Sequence, residues 1–218
     1  MKNIRIELYK IEQFVVMLID DRLPINQEHF DKQDRTLSFS GMTWEDYEKF
    51  TMAEYLGYRT SFLAGVITLM SPSQNHEVIK DFIFLLIVTY CDAFDLDYYP
   101  TGSTTCKDKN KQVGKEPDTS FCFNNLKQTP DLAVEVVFSS GGTDDLKKYQ
   151  KLGVKEVWFW LNNQLEIYVL VDDSYQQQQS SFNLANLEAK LLKKYIAQVL
   201  AGNPRILKQN FLNEFKTL

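Results

Sequence analysis

Between Leu132 and Phe138 every residue is apolar except Glu135. A continuous run of this length, rich in β-branched residues, reads as a strand buried on both faces. A carboxylate in such a strand is costly unless a cation or a metal pairs with it. Upstream, Glu116-Pro117-Asp118 precedes a second short apolar run, Phe121-Cys122-Phe123, and Pro130 marks the turn between the two runs. Asp118 therefore sits at the mouth of the neighbouring strand, where it could share a cation with Glu135. Two acids on neighbouring strands suggest a divalent metal site. The bland alternative is a Glu135 that pairs with a core lysine or lies in water at a strand end.

The chain has 218 residues, 44% of them hydrophobic and 24% charged, enough for one well-buried domain and hardly for two. Cys91, Cys106 and Cys122 lie far apart, with no Cys-x-x-Cys pair, which argues for reduced thiols in a cytoplasmic setting and against a disulfide frame or a zinc knuckle. The start, Met1 to Arg5, lacks the apolar core of a signal peptide. Ile79 to Tyr90 is too short for a membrane helix and carries Asp81. A net charge of -5 excludes the broad basic footprint of a tight nonspecific nucleic-acid binder, though not a local basic groove.

Residues 1–42 read as an N-terminal arm, with an alternating piece at Ile4, Ile6 and Leu8. Thr43, with Asp46 three residues on, opens a helix to about Tyr55. Arg59 to Met70 reads as a hairpin around Gly65, and Gln74 to Phe94 as a long helix from the spacing of Val78, Ile79, Phe82, Ile83, Leu86 and Tyr90. Strands follow near Leu96–Tyr99 and Gly102–Lys107, then a lysine-rich loop and the two acid-bearing strands. Asp144 to Leu152 reads as a helix ended by Gly153. Strands Glu156–Leu161 and Leu165–Val171 flank the Asn162-Asn163 hairpin signal. Asp172 to Ser181 is expected to be a surface loop, and helices from Leu187 to Leu200 and from Pro204, capped by Asn203, finish the chain. This order implies an α/β (α+β) domain with a mixed central sheet flanked by helices. The divisions expected are the arm (1–42), the main domain (43–200) and a C-terminal helix packed on it (201–218).

These residues resemble the PD-(D/E)XK nuclease superfamily, and most of all its Uma-type branch of restriction-endonuclease-like proteins. The resemblance covers about Met42 to Val171. It rests on Gly65 followed by Met70-Ser71-Pro72-Ser73 and His76-Glu77, on Gly102 to Thr105, on Glu116-Pro117-Asp118, on Asp131 to Glu135, on Ser139 to Asp144, and on Gly153 to Trp158. It implies a restriction-endonuclease-like fold in which Asp118 and Glu135 hold Mg²⁺ or Mn²⁺ for phosphodiester hydrolysis. The lysine usual two residues after the Glu is Val137 here. In relatives a lysine of the next helix follows the Asp of the Ser-Gly-Gly-x-Asp turn; the matching residue is Asp145, and Lys147 or Lys148 within one turn could replace it. Ala64 stands where relatives carry a further acid, and neither Glu77 nor Glu54 is a direct substitute.

His76 reads either as a site residue that orients water or binds phosphate, or as a partly exposed histidine at a helix start. His29 reads as a surface residue. Lys107, Lys109, Lys111 and Lys115 read more readily as a solvated loop than as phosphate contacts. Thr104 and Thr105 could bind a phosphate or simply suit a strand, and Trp158, Phe159 and Trp160 belong more readily to a core than to a base-stacking platform. The expected function is a Mg²⁺-dependent DNA endonuclease, with Asp118, Glu135, Lys148 or Lys147, and His76 at its site and a homodimer as a possible assembly. The alternative, favoured by Ala64 and Asp145, is a catalytically degenerate nuclease fold kept as a binding or assembly module.

Overall fold

The computed structural model describes residues 34–52, 58–138 and 142–215. Most of the expected arm, His29, Glu54, Tyr55 and the turn at 139–141 lie outside the described residues.

Strand alternation builds the first sheet. Arg35–Ser40 (β1), Arg59–Leu63 (β2), Val66–Ser71 (β3), Cys106–Asp108 (β5) and Val113–Lys115 (β6) pair antiparallel in the order β1-β3-β2-β6-β5. Leu37, Phe39, Phe62, Ile67 and Leu69 share one face and pack on Trp44, Tyr47 and Phe50 of helix α1 (Trp44–Met52). The Thr43 hydroxyl accepts from the Asp46 amide while the Asp46 carboxylate accepts from the Thr43 amide, so the expected cap forms. The alternate positions, Thr36, Ser38, Thr68, Met70, Arg59 and Ser61, face the other way.

The second sheet is the mixed central sheet. It contains Tyr98–Pro100 (β4), Thr119–Phe123 (β7), Leu132–Val137 (β8), Glu156–Leu161 (β9), Gln164–Val171 (β10) and Ser174–Gln178 (β11), in the order β11-β10-β9-β8-β7-β4. Only β8 and β9 run parallel. Between them lies the helix α3 (Leu146–Leu152), reached through a 3-10 turn at Gly142–Asp145. Helix α2 (Gln74–Ala93) buries Ile79, Phe82, Ile83 and Leu86 against Leu132, Val134 and Val136 of β8, and α4 (Ala189–Ile196) and α5 (Pro204–Phe215) complete that core. The opposite face of β8, with Ala133, packs against Tyr149 of α3. β8 is therefore covered on both sides, as its near-continuous apolar run requires, and Trp158, Phe159 and Trp160 are buried core residues.

Several expectations change. Residues 35–40, inside the expected arm, form β1, whose alternating Leu37 and Phe39 join the first core. The lysine-rich loop is the β5–β6 hairpin, and β5 begins only at Cys106 because 102–104 form a turn. The glutamine-rich segment is not a loop: β11 pairs with β10 as an exposed edge strand, where polar side chains cost nothing. The helix expected to reach Leu200 ends at Ile196 and continues as turns.

Candidate active site

Asp118 directly precedes β7. The β7–β8 register pairs Thr119 with Val134, and one further step sets Asp118 across from Glu135. Both side chains are buried. The paired strands β2 and β6 of the first sheet lie over this point and supply two cations.

Arg59 of β2 donates from Nη1 to Asp118 Oδ1 at 2.5 Å and from Nη2 to Glu77 Oε1 at 2.8 Å. Asp118 Oδ2 accepts from the Val136 amide at 2.6 Å and lies 3.0 Å from His76 Nε2. The other ring nitrogen, Nδ1, is 2.9 Å from Asp34 Oδ2. His76 is thus fully buried between two carboxylates. Burial works against its charge, but the hydrogen bonds and charges of Asp118 and Asp34 win and raise its pKa to about 9. Burial also works against ionised Asp118, yet His76, Arg59 and Lys115 together hold its carboxyl below the usual range.

Lys115, at the end of β6, is 8% exposed. Its Nζ lies 3.1 Å from Glu135 Oε2 and 2.8 Å from Asp145 Oδ2. The Tyr149 hydroxyl donates to the other Glu135 oxygen. Burial pushes the Glu135 carboxyl up to about 7, with Lys115 pulling against it and Asp118 and Asp145 adding to the rise. Asp145 goes the other way: despite burial, Lys115 and Lys148 lower it to about 2. Lys148 donates to Asp145 Oδ1 at 2.5 Å and to Ser61 Oγ at 2.9 Å. A cavity of about 310 Å³ opens above these groups, its floor formed by Lys115, Glu135, Asp145 and Lys148.

The structure brings together Asp118, Glu135, His76 and Lys148 and leaves Lys147 outside, exposed and 3.8 Å from Asp144. His76 is not the partly exposed helix-start residue weighed above. Thr104 stays exposed and bonds the Thr101 carbonyl within its own turn, while the half-buried Thr105 bonds Glu116. Sequence reasoning missed Arg59, Asp34 and Tyr149, and it read Lys115 more readily as part of a solvated loop, whereas Lys115 is buried against Glu135. One signal for Lys115 was available: it stands three residues before Asp118, on a strand leading into the same corner.

Among the described residues no three ligating side chains converge on one point. The donor chemistry nonetheless suits Mg²⁺ or Mn²⁺. Two hard carboxylates face each other, and Mg²⁺ commonly uses one or two carboxylates, filling its shell with water and substrate phosphate. Each acid already touches a positive group, so this is a point at which the chain accumulates cations.

The model of the Uma2 family, described as putative restriction endonuclease, matches residues 44–197. The chain belongs to the Uma2 family. No curated protein matches it. Among solved structures, a protein titled a putative nuclease of the DUF820 group, from Anabaena variabilis, is similar at 12% identity and a TM-score of 0.45, over 63% of this Uma2 chain and 90% of the other. No described helix of the Uma2 protein is long and apolar enough to cross a membrane.

Proposed function

We propose that this Uma2 protein is a Mg²⁺- or Mn²⁺-dependent endonuclease that hydrolyses phosphodiester bonds of DNA. One observation carries the reading: two buried carboxylates, Asp118 and Glu135, oppose each other on neighbouring strands with the Lys115 ammonium 3.1 Å from one of them.

Asp118 and Glu135 would hold the ion, which supplies Lewis acidity toward the phosphate and lowers the pKa of a bound water. The rest is chemistry of the chain's own residues. Lys115 supplies the ammonium that the resemblance sought at Val137, arriving from β6 rather than from β8. It stands beside Glu135, where it can donate to a phosphate oxygen or to the attacking water. Asp145 holds Lys115 and Lys148 side by side on the cavity floor. The position that seemed to reverse a charge therefore fixes two positive ones. His76, pinned by Asp34, orients Asp118, and Arg59 closes the remaining side of that carboxylate.

The test is a melt with and without millimolar Mn²⁺, together with nicking of a supercoiled plasmid. An ion held at 100 times its Kd adds about 2.7 kcal/mol of stability. The wild type should melt higher and nick the plasmid, and Asp118→Asn and Glu135→Gln should lose both responses. A second reading has one observation in its favour: the oxygens of both acids already carry protein donors, which suits a binding module without hydrolysis. Absence of any Mn²⁺ shift and of any nicking would establish that reading over the first.

A further inference from the structure

The first sheet has one apolar face, against α1, and a second face on which a polar row runs between the apolar side chains of Val66, Leu63 and Val113 on one side and Met70 on the other. The registers align residues of that second face across four strands. Ser38 of β1 pairs with Thr68 of β3, Thr68 with Ser61 of β2, and Ser61 with Lys115 of β6. At about 4.8 Å per strand this row runs about 14 Å from the sheet edge to the acid pair. Exposure falls along it: Ser38 is exposed, Thr68 half-buried, and Ser61 and Lys115 buried. The hydroxyls of Ser38 and Thr68 are 3.3 Å apart, and Ser61 already takes the Lys148 ammonium at 2.9 Å. All five side chains line the same cavity. The adjacent row, Thr36, Met70 and Arg59, flanks it and adds one flexible apolar side chain, Met70.

We propose that this row is a binding track for a single strand of DNA, whose phosphates accept hydrogen bonds from Ser38, Thr68 and Ser61 on the way to Lys115. The inference rests on the nuclease reading above and narrows its substrate to unpaired DNA. Hydroxyls spaced along a sheet face suit a ligand with acceptors repeated along its length, and a phosphodiester backbone is one. Donors of this kind read no base, so the contacts are independent of sequence. Met70 offers the face of a base or sugar an apolar, adaptable contact. At about 310 Å³ the cavity has the size to take one unpaired nucleotide among its lining side chains, whereas a base-paired duplex would reach it only across the mouth. The ramp of exposure gives the direction of entry: the strand passes over the β1 edge and descends toward the floor.

The experiment measures fluorescence anisotropy of a labelled single-stranded oligonucleotide and of its duplex in EDTA, where no cleavage occurs. It uses wild type, the Ser38→Ala/Thr68→Val double variant, and Thr68→Ser. Neither position belongs to the catalytic cluster, and valine keeps the strand-forming shape of threonine. Wild type should bind the single strand more tightly than the duplex. The double variant should weaken single-strand binding by about tenfold, or about 1.4 kcal/mol, while Thr68→Ser stays near wild type. Equal affinity of the double variant and wild type overturns the track, and so does tighter binding of the duplex. The Mn²⁺ melt separates the two readings. Wild type that Mn²⁺ stabilises but that binds no single strand would sink the track alone, and absence of both responses would sink both.

Discussion

Replacing Lys115 by methionine tests the electrostatics of the site most directly. The substitution keeps the long apolar stem and removes only the ammonium. Lys115 is buried and faces both Glu135 and Asp145. Asp145 keeps a second cation, Lys148, at 2.5 Å; among the described residues Glu135 keeps the Tyr149 hydroxyl as its hydrogen-bond partner. Removing one partner of a buried pair costs about 3–5 kcal/mol, because the other charge is left uncompensated. Glu135 has one escape, protonation, and its carboxyl already titrates near 7 with Lys115 present. A carboxyl whose folded pKa is raised contributes stability that is full below its unfolded value near 4.5 and is lost as pH rises through the folded value. Without Lys115 that folded value climbs further, each unit being worth about 1.36 kcal/mol. The variant should therefore lose about 3–5 kcal/mol at pH 8.5 and clearly less at pH 5.5, where Glu135 is neutral in both proteins. Urea denaturation of both proteins at the two pH values reads this difference directly. Adding Glu135→Gln to the variant should restore most of the loss at pH 8.5, as expected for two groups in contact. A loss below about 1 kcal/mol at pH 8.5, the size of an exposed pair, would refute the reasoning, as would a loss that does not vary with pH.

Further outcomes follow from other parts of the molecule. His76 titrates near 9, so its contribution is full below 6.5 and fades as pH rises through 9; denaturation midpoints should fall across that window in wild type and flatten in His76→Gln. On the acid side Asp118 and Asp145 are both held low, so their stabilisation is present above 3.8 and lost on further acidification, which a pH series of thermal melts should register as a steep acid limb. A Cβ at Gly114 would fall inside the Tyr47 ring, so Gly114→Ala should cost about 1–3 kcal/mol in urea denaturation. Glu156 accepts from the Trp158 indole, from the amides of Phe182 and Asn183 and from the Asn183 side chain. Glu156→Ala leaves the buried Trp158 indole N–H unpaired and should lower stability by about 1–3 kcal/mol, with a disturbed Trp158 fluorescence spectrum as a second sign.

The elements that could be read in the sequence are those specified by short-range rules. The apolar run of β8 announced a strand covered on both faces, and α2 followed from its helical spacing. The Asn162-Asn163 turn has both residues at positive φ, and Gly153 ends α3 in the left-handed region. Glu135 was legible as a buried acid because a charge inside an apolar run is conspicuous, and Asp118 because it opens the neighbouring strand. Their partners were not, because Arg59 lies 59 residues before Asp118 and no local pattern ties β2 to the corner where it lands. Lys115 was read as loop for a different reason. In the β5–β6 hairpin it is one lysine among several, and only the pairing of β6 with β2 turns it inward while Lys109 and Lys111 stay in solvent. The β11 edge was masked by its composition, since a glutamine run carries no alternation to betray a strand.

Glu116, Pro117 and Asp118 have a consequence of their own. Glu116 accepts from the Thr60 amide and hydroxyl, on one sheet, and Asp118 accepts from the Val136 amide, on the other. The tripeptide is thus a rivet between two layers, with a proline stiffening its middle. The layers cannot slide past one another without withdrawing a carboxylate from a backbone amide. Any breathing of the cleft must therefore occur at its far rim, near Ser38, while the corner that holds the acids stays still. A cleft built this way would admit and release a ligand by flexing one lip, with its buried charges held at fixed separation throughout.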